Sequence, residues 1–290
     1  FYIGGQLGMT ETWFHETLHP ELQAGIRMDQ LVHRGQTDFQ SVLIFDNALL
    51  GRVLVLDDVI QTTTRDEFIY HEMLAHVPLL ALENPAEVLI IGGGDGGCLE
   101  EVLKHPVDRV TMIELDAQVV ALAQEHLGMI CGQAFDDPRT ELRIEDGARF
   151  LTGTDRRFDV IIIDSTDPIG PGAALFSPEF YGNCRRCLTP SGILVTQNGV
   201  PFIQGDELAA SARAFKGLFS YPRFYFAAVP TYMGGTMAFG CASAHTDAGA
   251  LPMVDLAARQ TARGLALQYY SPQVHLGAFA VPPYLQSLID

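Results

Sequence analysis

The sequence is poor in basic residues, with 18 Lys and Arg against 35 Asp and Glu, and its formal net charge is −17 over 290 residues. A nucleic-acid-binding protein needs a basic face, so this balance argues against a nucleic-acid partner. Excess acid ordinarily keeps a protein soluble. It would also attract polycationic substrates.

Long hydrophobic segments are missing as well. No apolar run approaches the roughly 18 residues that a membrane helix needs, and no signal-peptide pattern is present. We therefore expect a soluble, cytoplasmic protein with no membrane partner. The five cysteines are an odd number without the spacing of a disulfide framework, which indicates reduced thiols. Cys184 and Cys187 form C-x-x-C, but within a helical stretch, which disfavours redox chemistry.

The chain divides into three predicted parts. Residues 1–8 precede a methionine and are interpreted as a vector remnant. Residues 9–64 contain short apolar runs at 41–45, 52–56 and 59–63, separated by turn signals, and predict a small antiparallel β domain. Residues 65–290 form the larger domain. It opens with a helix predicted to run to about Leu82, with Thr64 or Asp66 as its N-cap.

The larger domain begins its sheet with a strand and a glycine turn. Residues 88–91 are four apolar residues, typical of a strand buried on both faces. Gly92, Gly94 and Gly97 fit G-x-G-x-x-G, and Glu114 ends the next strand, where a ribose-binding acid is expected. This pattern predicts a nucleotide-binding type of fold.

Strands then alternate with helical segments along the rest of the chain. This alternation predicts an α/β fold with a doubly wound, mostly parallel, Rossmann-like sheet of the methyltransferase type. The predicted strands are residues 88–91, 110–114, 141–145, 160–164, 193–197, 224–229 and 237–241.

Asp95 distinguishes the glycine turn from a dinucleotide site. It lies beside a helix N-terminus, where a pyrophosphate would bind. A carboxylate there repels phosphate, so NAD and FAD are disfavoured and a phosphate-free, cationic nucleoside such as S-adenosylmethionine is favoured. A simpler interpretation is that Asp95 only caps the helix.

Carboxylates also follow the next three strands. Glu114 ends the second strand, Asp146 precedes Gly147 after the third, and Asp164 ends the fourth just before Asp167. Carboxyl ends of parallel strands meet at one edge of a sheet, so we expect all these acids on one rim. Such charge costs stability unless a cation neutralises it. A metal ion is one explanation, but no His or Cys cluster accompanies the acids, and an organic polycation fits as well.

Four segments carry a family resemblance. Residues 61–72 are QTTTRDEFIYHE, residues 92–97 are GGGDGG, residues 164–172 are DSTDPIGPG and residues 230–235 are PTYMGG. Together they closely resemble the spermidine synthases, the polyamine aminopropyltransferases. The resemblance extends from about Trp13 to Leu285, and the third segment is its most specific part.

The resemblance implies a donor and its site. Decarboxylated S-adenosylmethionine would be a co-substrate lying along the strand ends, with no prosthetic group. Glu114 would hold the ribose hydroxyls, Asp146 beside Gly147 would meet the adenine amino group, and Gln40 and Pro171 would frame the nucleoside.

Asp95 would bind the aminopropyl ammonium of this donor. The undecarboxylated donor would bring its own carboxylate towards Asp95, at a cost on the order of 4 kcal/mol for two like charges 4 Å apart at an effective dielectric of 20. The acceptor implied is a diamine, putrescine. Five further residues would bind it: Tyr70, His71, Asp164, Asp167 and Tyr232.

Asp164 is implied as the general base that takes the proton of the attacking amine while methylthioadenosine leaves. Two alternatives remain: an S-adenosylmethionine-dependent amine N-methyltransferase, and a catalytically silent nucleoside-binding protein. Acceptor length stays open, because Met233 stands where many relatives have an aromatic residue. Residues 165–176 are expected to be a lid that is mobile without ligand. We expect a homodimer or homotetramer with contacts through the N-terminal β domain.

Overall fold

A computed structural model of the protein describes residues 12–167 and 170–290. The segment interpreted as a vector remnant, residues 1–8, lies outside the described residues. Residue contacts divide the chain into two compact units, one ending at Arg65 and the other running from Asp66 to Asp290. None of the helices in the described ranges combines the length and the apolar character that crossing a bilayer requires.

The N-terminal unit is built from two antiparallel sheets, which confirms the predicted β domain. β1 pairs with β2, and β3 to β6 form a four-stranded meander. Asp57 and Asp58 have positive φ angles of 46° and 59°, the conformation that a tight hairpin between β5 and β6 requires. The strands are β1 Thr12–His19, β2 Leu22–Met28, β3 Gln30–Gln36, β4 Ser41–Asn47, β5 Gly51–Leu56 and β6 Val59–Thr63.

The second unit alternates strands and helices. Its strands are β7 Glu87–Gly92, β8 Arg109–Glu114, β9 Thr140–Ile144, β10 Phe158–Asp164, β11 Leu188–Gln197, β12 Tyr221–Ala228 and β13 Thr236–Ser243. Its helices are α1 Glu67–Ala81, α2 Gly97–Leu103, α3 Ala117–His126, α4 Gly128–Cys131, α5 Gly147–Gly153, α6 Pro178–Cys187, α7 Gly205–Leu218, α8 Met253–Ala262, α9 Pro272–Ala278 and α10 Pro283–Ile289.

The seven strands form one sheet in the order β12-β13-β11-β10-β7-β8-β9. Neighbours from β11 to β9 are parallel, whereas β13 is antiparallel to both β11 and β12. The predicted mostly parallel, doubly wound sheet is confirmed. Its central strands are buried on both faces: Val88 and Ile90 of β7 pack into one core, while Leu89 and Ile91 pack into the other.

All five cysteines are buried free thiols, in agreement with the expected reduced state. Cys184 and Cys187 lie on α6, and burial raises the pKa of both thiols. A raised pKa lowers the thiolate fraction, so this pair has the character of packing residues.

Helix α1 ends at Ala81, one residue before its predicted end at about Leu82, and Asp66, one of the two predicted caps, occupies the N-cap position. The Asp66 carboxylate makes no capping bond, because it accepts hydrogen bonds from Thr231 N (2.7 Å) and Thr231 Oγ1 (2.6 Å). Asp66 therefore holds the loop of residues 230–235 against the start of α1.

The C-terminal segment holds α1 at two further points. Arg259 and Arg263 donate to the last carbonyls of the helix, with Nη1 of Arg263 2.8 Å from Leu79 O. The buried Glu72 carboxylate accepts three backbone N–H bonds of 2.7–2.9 Å from the consecutive residues Gln268, Tyr269 and Tyr270.

We predict that Glu72→Gln destabilises the fold by about 2–4 kcal/mol, because the amide NH2 would face buried N–H donors and leave them unsatisfied. Denaturant unfolding followed by circular dichroism measures this change. Gln268→Ala is the matched control, since the side chain of Gln268 is exposed and only its backbone N–H contacts Glu72. Equal stabilities of the two variants would contradict the prediction.

Candidate active site

Four acids lie where the carboxyl ends of neighbouring parallel strands meet. β10 ends on Asp164, β7 leads through the glycine turn to Asp95, β8 ends on Glu114 and β9 is followed by Asp146. The sheet order β10-β7-β8-β9 places them along the rim in that sequence. The rim is thus a row of carboxylates on adjacent strands.

Asp164 is held by one oxygen. Tyr70 donates to Asp164 Oδ1 at 2.7 Å, while Asp164 Oδ2 is buried with no hydrogen-bond partner among the described residues. Burial, followed by repulsion from Asp95, raises the pKa of Asp164 to about 6 against the lowering effects of His71 and Tyr70. The side chain therefore offers one free acceptor oxygen of increased basicity.

His71 lies between two carboxylates. Its Nδ1 is 2.6 Å from Glu67 Oε2, one helical turn earlier, and its Nε2 is 3.5 Å from Asp95 Oδ2. Burial opposes protonation, but Asp95 and Glu67 outweigh it and hold the pKa of His71 well above its usual range. Both ring nitrogens face acceptors, which only the imidazolium can satisfy as a double donor.

No cluster of His or Cys was expected beside the acids, and among the described residues a single histidine, His71, joins two of them. One ligand atom from each of His71, Asp95 and Asp164 lies within 4.8 Å of the other two. This set could hold a metal ion as well as an ammonium group. Sequence spacing could not reveal it, because α1 and the glycine turn meet only in the folded chain.

Two glycines permit these close approaches. A Cβ on Gly97 would overlap the ring of His71, so α2 can approach α1 this closely only because residue 97 has no side chain. A Cβ on Gly92, where φ is 84°, would overlap the Asp164 carbonyl, which accepts a 2.7 Å hydrogen bond from Gly93 N. Asp95 Oδ1 accepts from Gly97 N at 3.0 Å, so Asp95 also satisfies a helix-terminal N–H as the simpler interpretation proposed.

The far end of the rim holds Glu114 and Asp146. Burial raises the pKa of Glu114 to about 7, although its Oε1 accepts from Asp116 N at 3.0 Å. Asp146 is the N-cap of α5, with Oδ1 accepting from Arg149 N at 2.9 Å. Gly147 packs directly on Ile91 of β7.

At the other end, Asp167 and Tyr232 lie near Asp164. Gln204 Nε2 donates to Asp167 Oδ1 at 3.0 Å. The ring of Tyr232 is edge-on to that of Tyr70, with centroids 6.0 Å apart. Burial raises the pKa of the Tyr232 phenol well above its usual range, and the negative charges of Asp164, Asp95, Asp66 and Asp167 add to the rise.

For two predicted residues the structure tests no role in this cluster. Gln40 belongs to the N-terminal unit, in the turn between β3 and β4, where its backbone N–H donates to Thr37 Oγ1 at 3.0 Å. Pro171 follows the start of a 3-10 segment, Gly170–Phe176, and its side chain lies outside the described residues, as do Pro168 and Ile169. The roles of Gln40 and Pro171 stay predictions, as does the mobility of the lid.

The sequence analysis did not single out Gln197, Gln204 and Glu207. Gln204 Nε2 is 3.5 Å from both carboxylate oxygens of Glu207, and burial together with Asp167 raises the pKa of Glu207 to about 7. Gln197 ends β11, so the rule that ligands lie beyond strand ends could have found it.

Comparison with known proteins identifies the family. Residues 67–250 match the family described as the spermine/spermidine synthase domain, and residues 12–64 match the spermidine synthase tetramerisation domain. This chain belongs to the spermine/spermidine synthase family. The resemblance of its four sequence motifs is therefore confirmed.

Similar proteins cover almost the whole chain. The polyamine aminopropyltransferase of Ruegeria sp. (strain TM1040) is 52% identical over 96% of this chain and 98% of its own length. Polyamine aminopropyltransferase 1 of Pseudomonas aeruginosa is 52% identical over 95% of this chain and 97% of its own length.

Solved structures agree with this assignment. A spermidine synthase in complex with the transition state analogue AdoDATO superposes with a TM-score of 0.91 at 36% identity, covering 99% of this chain and 98% of that one. The spermidine synthase of Thermotoga maritima gives a TM-score of 0.88 at 34% identity, covering 99% and 97%.

We predict that Gly97→Ala costs about 1–3 kcal/mol of stability, because the new methyl group must displace the His71 ring. The displacement should also move the His71 pKa, measured by NMR titration, back towards its usual value as the ring leaves Asp95. The His71 resonance is the histidine signal that is missing from the spectrum of the His71→Gln variant.

Gly153→Ala is the matched control for this change. Gly153 is also helical, and nothing lies within 4 Å of an added Cβ. Its stability should stay within about 0.5–1 kcal/mol of the original protein. An unchanged His71 titration in Gly97→Ala would contradict the assigned contact.

Proposed function

We propose that this protein transfers the aminopropyl group of decarboxylated S-adenosylmethionine to putrescine, giving spermidine and methylthioadenosine, with Asp164 as general base. The observation that carries the proposal is the free, buried Oδ2 of Asp164 beside Asp95, in a chain of the spermine/spermidine synthase family. The relatives' name, polyamine aminopropyltransferase, supports the reaction class.

The reaction is a displacement at carbon. An amine nitrogen attacks the aminopropyl carbon bonded to the sulfonium, the carbon–sulfur bond breaks, and its electron pair leaves on neutral methylthioadenosine. Alignment of nitrogen, carbon and sulfur supplies much of the rate, because the leaving group is already good. The protein must hold two cations end to end and take one proton.

Asp164 meets the proton-transfer requirement in part. An ordinary carboxylate differs from an alkylamine by about six pKa units, whereas a pKa of about 6 for Asp164 reduces the gap to about four units, or about 5 kcal/mol. The nearby sulfonium and desolvation lower the amine pKa further. Tyr70 fixes Oδ1, and Oδ2 then accepts the proton as the N–C bond forms.

The order of acids along the rim suits a donor lying across it. Asp146 and Glu114 would take the adenine and ribose ends, with Gly147, Gln40 and Pro171 around the nucleoside. Asp95, at the next strand, would bind the aminopropyl ammonium. An undecarboxylated donor would bring a carboxylate to Asp95, whose neighbourhood already contains Asp164, and would be repelled.

The acceptor end suits a diamine. Asp164 would take the attacking nitrogen, and Asp167 the distal ammonium, with Tyr70, His71 and Tyr232 lining the path between. The flat aromatic faces of the two tyrosines favour an alkyl chain. A monoamine would leave Asp167 without its cation.

Assembly and location complete the proposal. The match of residues 12–64 to a tetramerisation domain supports a homo-oligomer, dimer or tetramer, formed through the N-terminal unit. The substrates are small metabolites, and we place the reaction in the cytoplasm.

We predict that the protein mixed with putrescine and decarboxylated S-adenosylmethionine yields spermidine and methylthioadenosine in equal amounts. S-adenosylmethionine itself should yield no spermidine and no methylthioadenosine. It should also yield no methylated putrescine and no S-adenosylhomocysteine. A chelator should leave the rate unchanged, because ammonium groups are the cations bound at Asp95 and Asp164. A methylated amine would instead identify a methyltransferase. Absence of product with either donor would identify a silent binding protein. A loss of rate on chelation would identify a metal site.

We predict that Asp164→Asn lowers kcat by about 10²–10⁴-fold, with a smaller effect on donor binding, because an amide cannot accept the proton. In the original protein kcat should fall about tenfold per pH unit below about pH 6 as Asp164 becomes protonated. Bound cations lower that pKa, so the fall begins at or below this value.

Asp159→Asn is the matched control, since Asp159 lies at the opposite end of β10 and accepts from the backbone N–H groups of Ala86 and Glu87. It should retain kcat and its pH dependence. Wild-type turnover in Asp164→Asn would remove Asp164 as the base.

A further inference from the structure

Two buried glutamines contact the segment that joins Asp164 to Asp167. Gln197 is the last residue of β11, and Gln204 immediately precedes α7. Their exposed fractions are only 3% and 8%. The reaction proposed above assigns neither of them a step, so their contacts require another explanation.

Both amides are oriented by the same loop. Gln197 Oε1 accepts from Gly199 N at 2.9 Å, and Gln204 Oε1 accepts from the next N–H, that of Val200, at 2.7 Å. A backbone N–H can only donate, so the partner atom must be the amide oxygen in both cases. Each NH2 group is therefore directed away from the loop and towards the segment of residues 165–167.

The two NH2 groups bind different parts of that segment. Gln197 Nε2 donates to the carbonyls of Ser165 (3.0 Å) and Thr166 (3.3 Å), the main chain directly after Asp164. Gln204 Nε2 donates to the Asp167 carboxylate at 3.0 Å. One glutamine thus holds backbone and the other holds a side chain.

We propose that Gln197 and Gln204 are positioning residues that fix the two acceptor-binding aspartates independently, Gln197 acting on Asp164 and Gln204 on Asp167. This inference rests on the proposed function. Gln197 fixes the main chain directly after Asp164, so loss of its amide displaces the Asp164 carboxylate and slows the chemical step. Gln204 sets the carboxylate that receives the distal ammonium, so its loss weakens binding of the diamine.

A neutral amide suits this position better than a cation. Lys or Arg beside Asp167 would neutralise the carboxylate and repel the incoming ammonium. Gln204 holds Asp167 without cancelling its charge, and its NH2 also lies between Asp167 and Glu207. Burial and Asp167 raise the pKa of Glu207, as expected for two acids that share one neutral donor.

The test replaces each glutamine by glutamate, which keeps the shape and the oxygen that accepts from the loop but removes the N–H donors. Gln204→Glu should raise the KM for putrescine about tenfold or more, with kcat and the donor KM close to the original, as for loss of one charge-assisted hydrogen bond. Gln197→Glu should lower kcat about tenfold or more with both KM values retained. Gln204→Met and Gln197→Met should give the same shifts, and they are needed because a glutamate at position 204 also adds a charge that attracts the putrescine ammonium.

Gln124→Glu on the exposed face of α3 makes the same chemical change elsewhere and should alter none of these constants. The inference is overturned if both glutamine sites shift the same constant, or if folded variants at either site keep all constants. If the original protein forms no methylthioadenosine, the proposed function fails first. The rise in melting temperature caused by putrescine then decides: Gln204→Met should lose it and Gln197→Met keep it, and equal rises would overturn the inference.

Discussion

Repulsion among carboxylates gathered at one edge of a sheet is the constraint on which this structure depends. Each acid accepts at least one hydrogen bond from a neutral group, which leaves its negative charge in place. The rim can thus be rigid and still attract cations. The donor–acceptor pairs are Tyr70 with Asp164, Gly97 N with Asp95, Asp116 N with Glu114, Arg149 N with Asp146 and Gln204 with Asp167.

Helix α1 concentrates several of these tasks in its first two turns. Asp66 holds the loop that carries Tyr232, Glu67 pairs with His71, Tyr70 binds Asp164, and Glu72 binds the C-terminal segment. Successive residues of a helix point in different directions, so one turn can contact the rim, a loop and the C-terminal chain at once. The dense polar sequence at this helix start has its explanation in these separate partners.

Much of the fold could be predicted from the sequence, because periodicity and turn chemistry are local. The four apolar residues 88–91 predicted a strand buried on both faces. The acids after successive strands were expected on one rim because the carboxyl ends of parallel strands lie at the same edge of a sheet. The antiparallel direction of β13 was not foreseen, since a buried apolar run is the same in either direction. Asp66 occupies the predicted N-cap position of α1, but its carboxylate makes no capping bond because it binds Thr231, more than 160 residues away in sequence.

The charged residues of the site could be predicted from the sequence, whereas the contacts that depend on close packing could not. His71 joins Asp95 only because Gly97 lacks a side chain, a condition that becomes visible when two helices are packed together. Gln197 and Gln204 carry no charge and belong to no motif quoted above. Their role comes from amide orientation, which depends on loop N–H groups that have no sequence signature.

The attachment of α1 to the C-terminal segment affects how substitution data on this protein should be interpreted. Arg259 and Arg263 bind the terminal carbonyls of the helix that bears Tyr70 and His71, and Glu72 binds the backbone of residues 268–270. Substitutions that break these contacts should displace α1 and thereby slow turnover. Poor activity in a variant of that region is therefore no sign, taken alone, that the altered side chain touches a substrate.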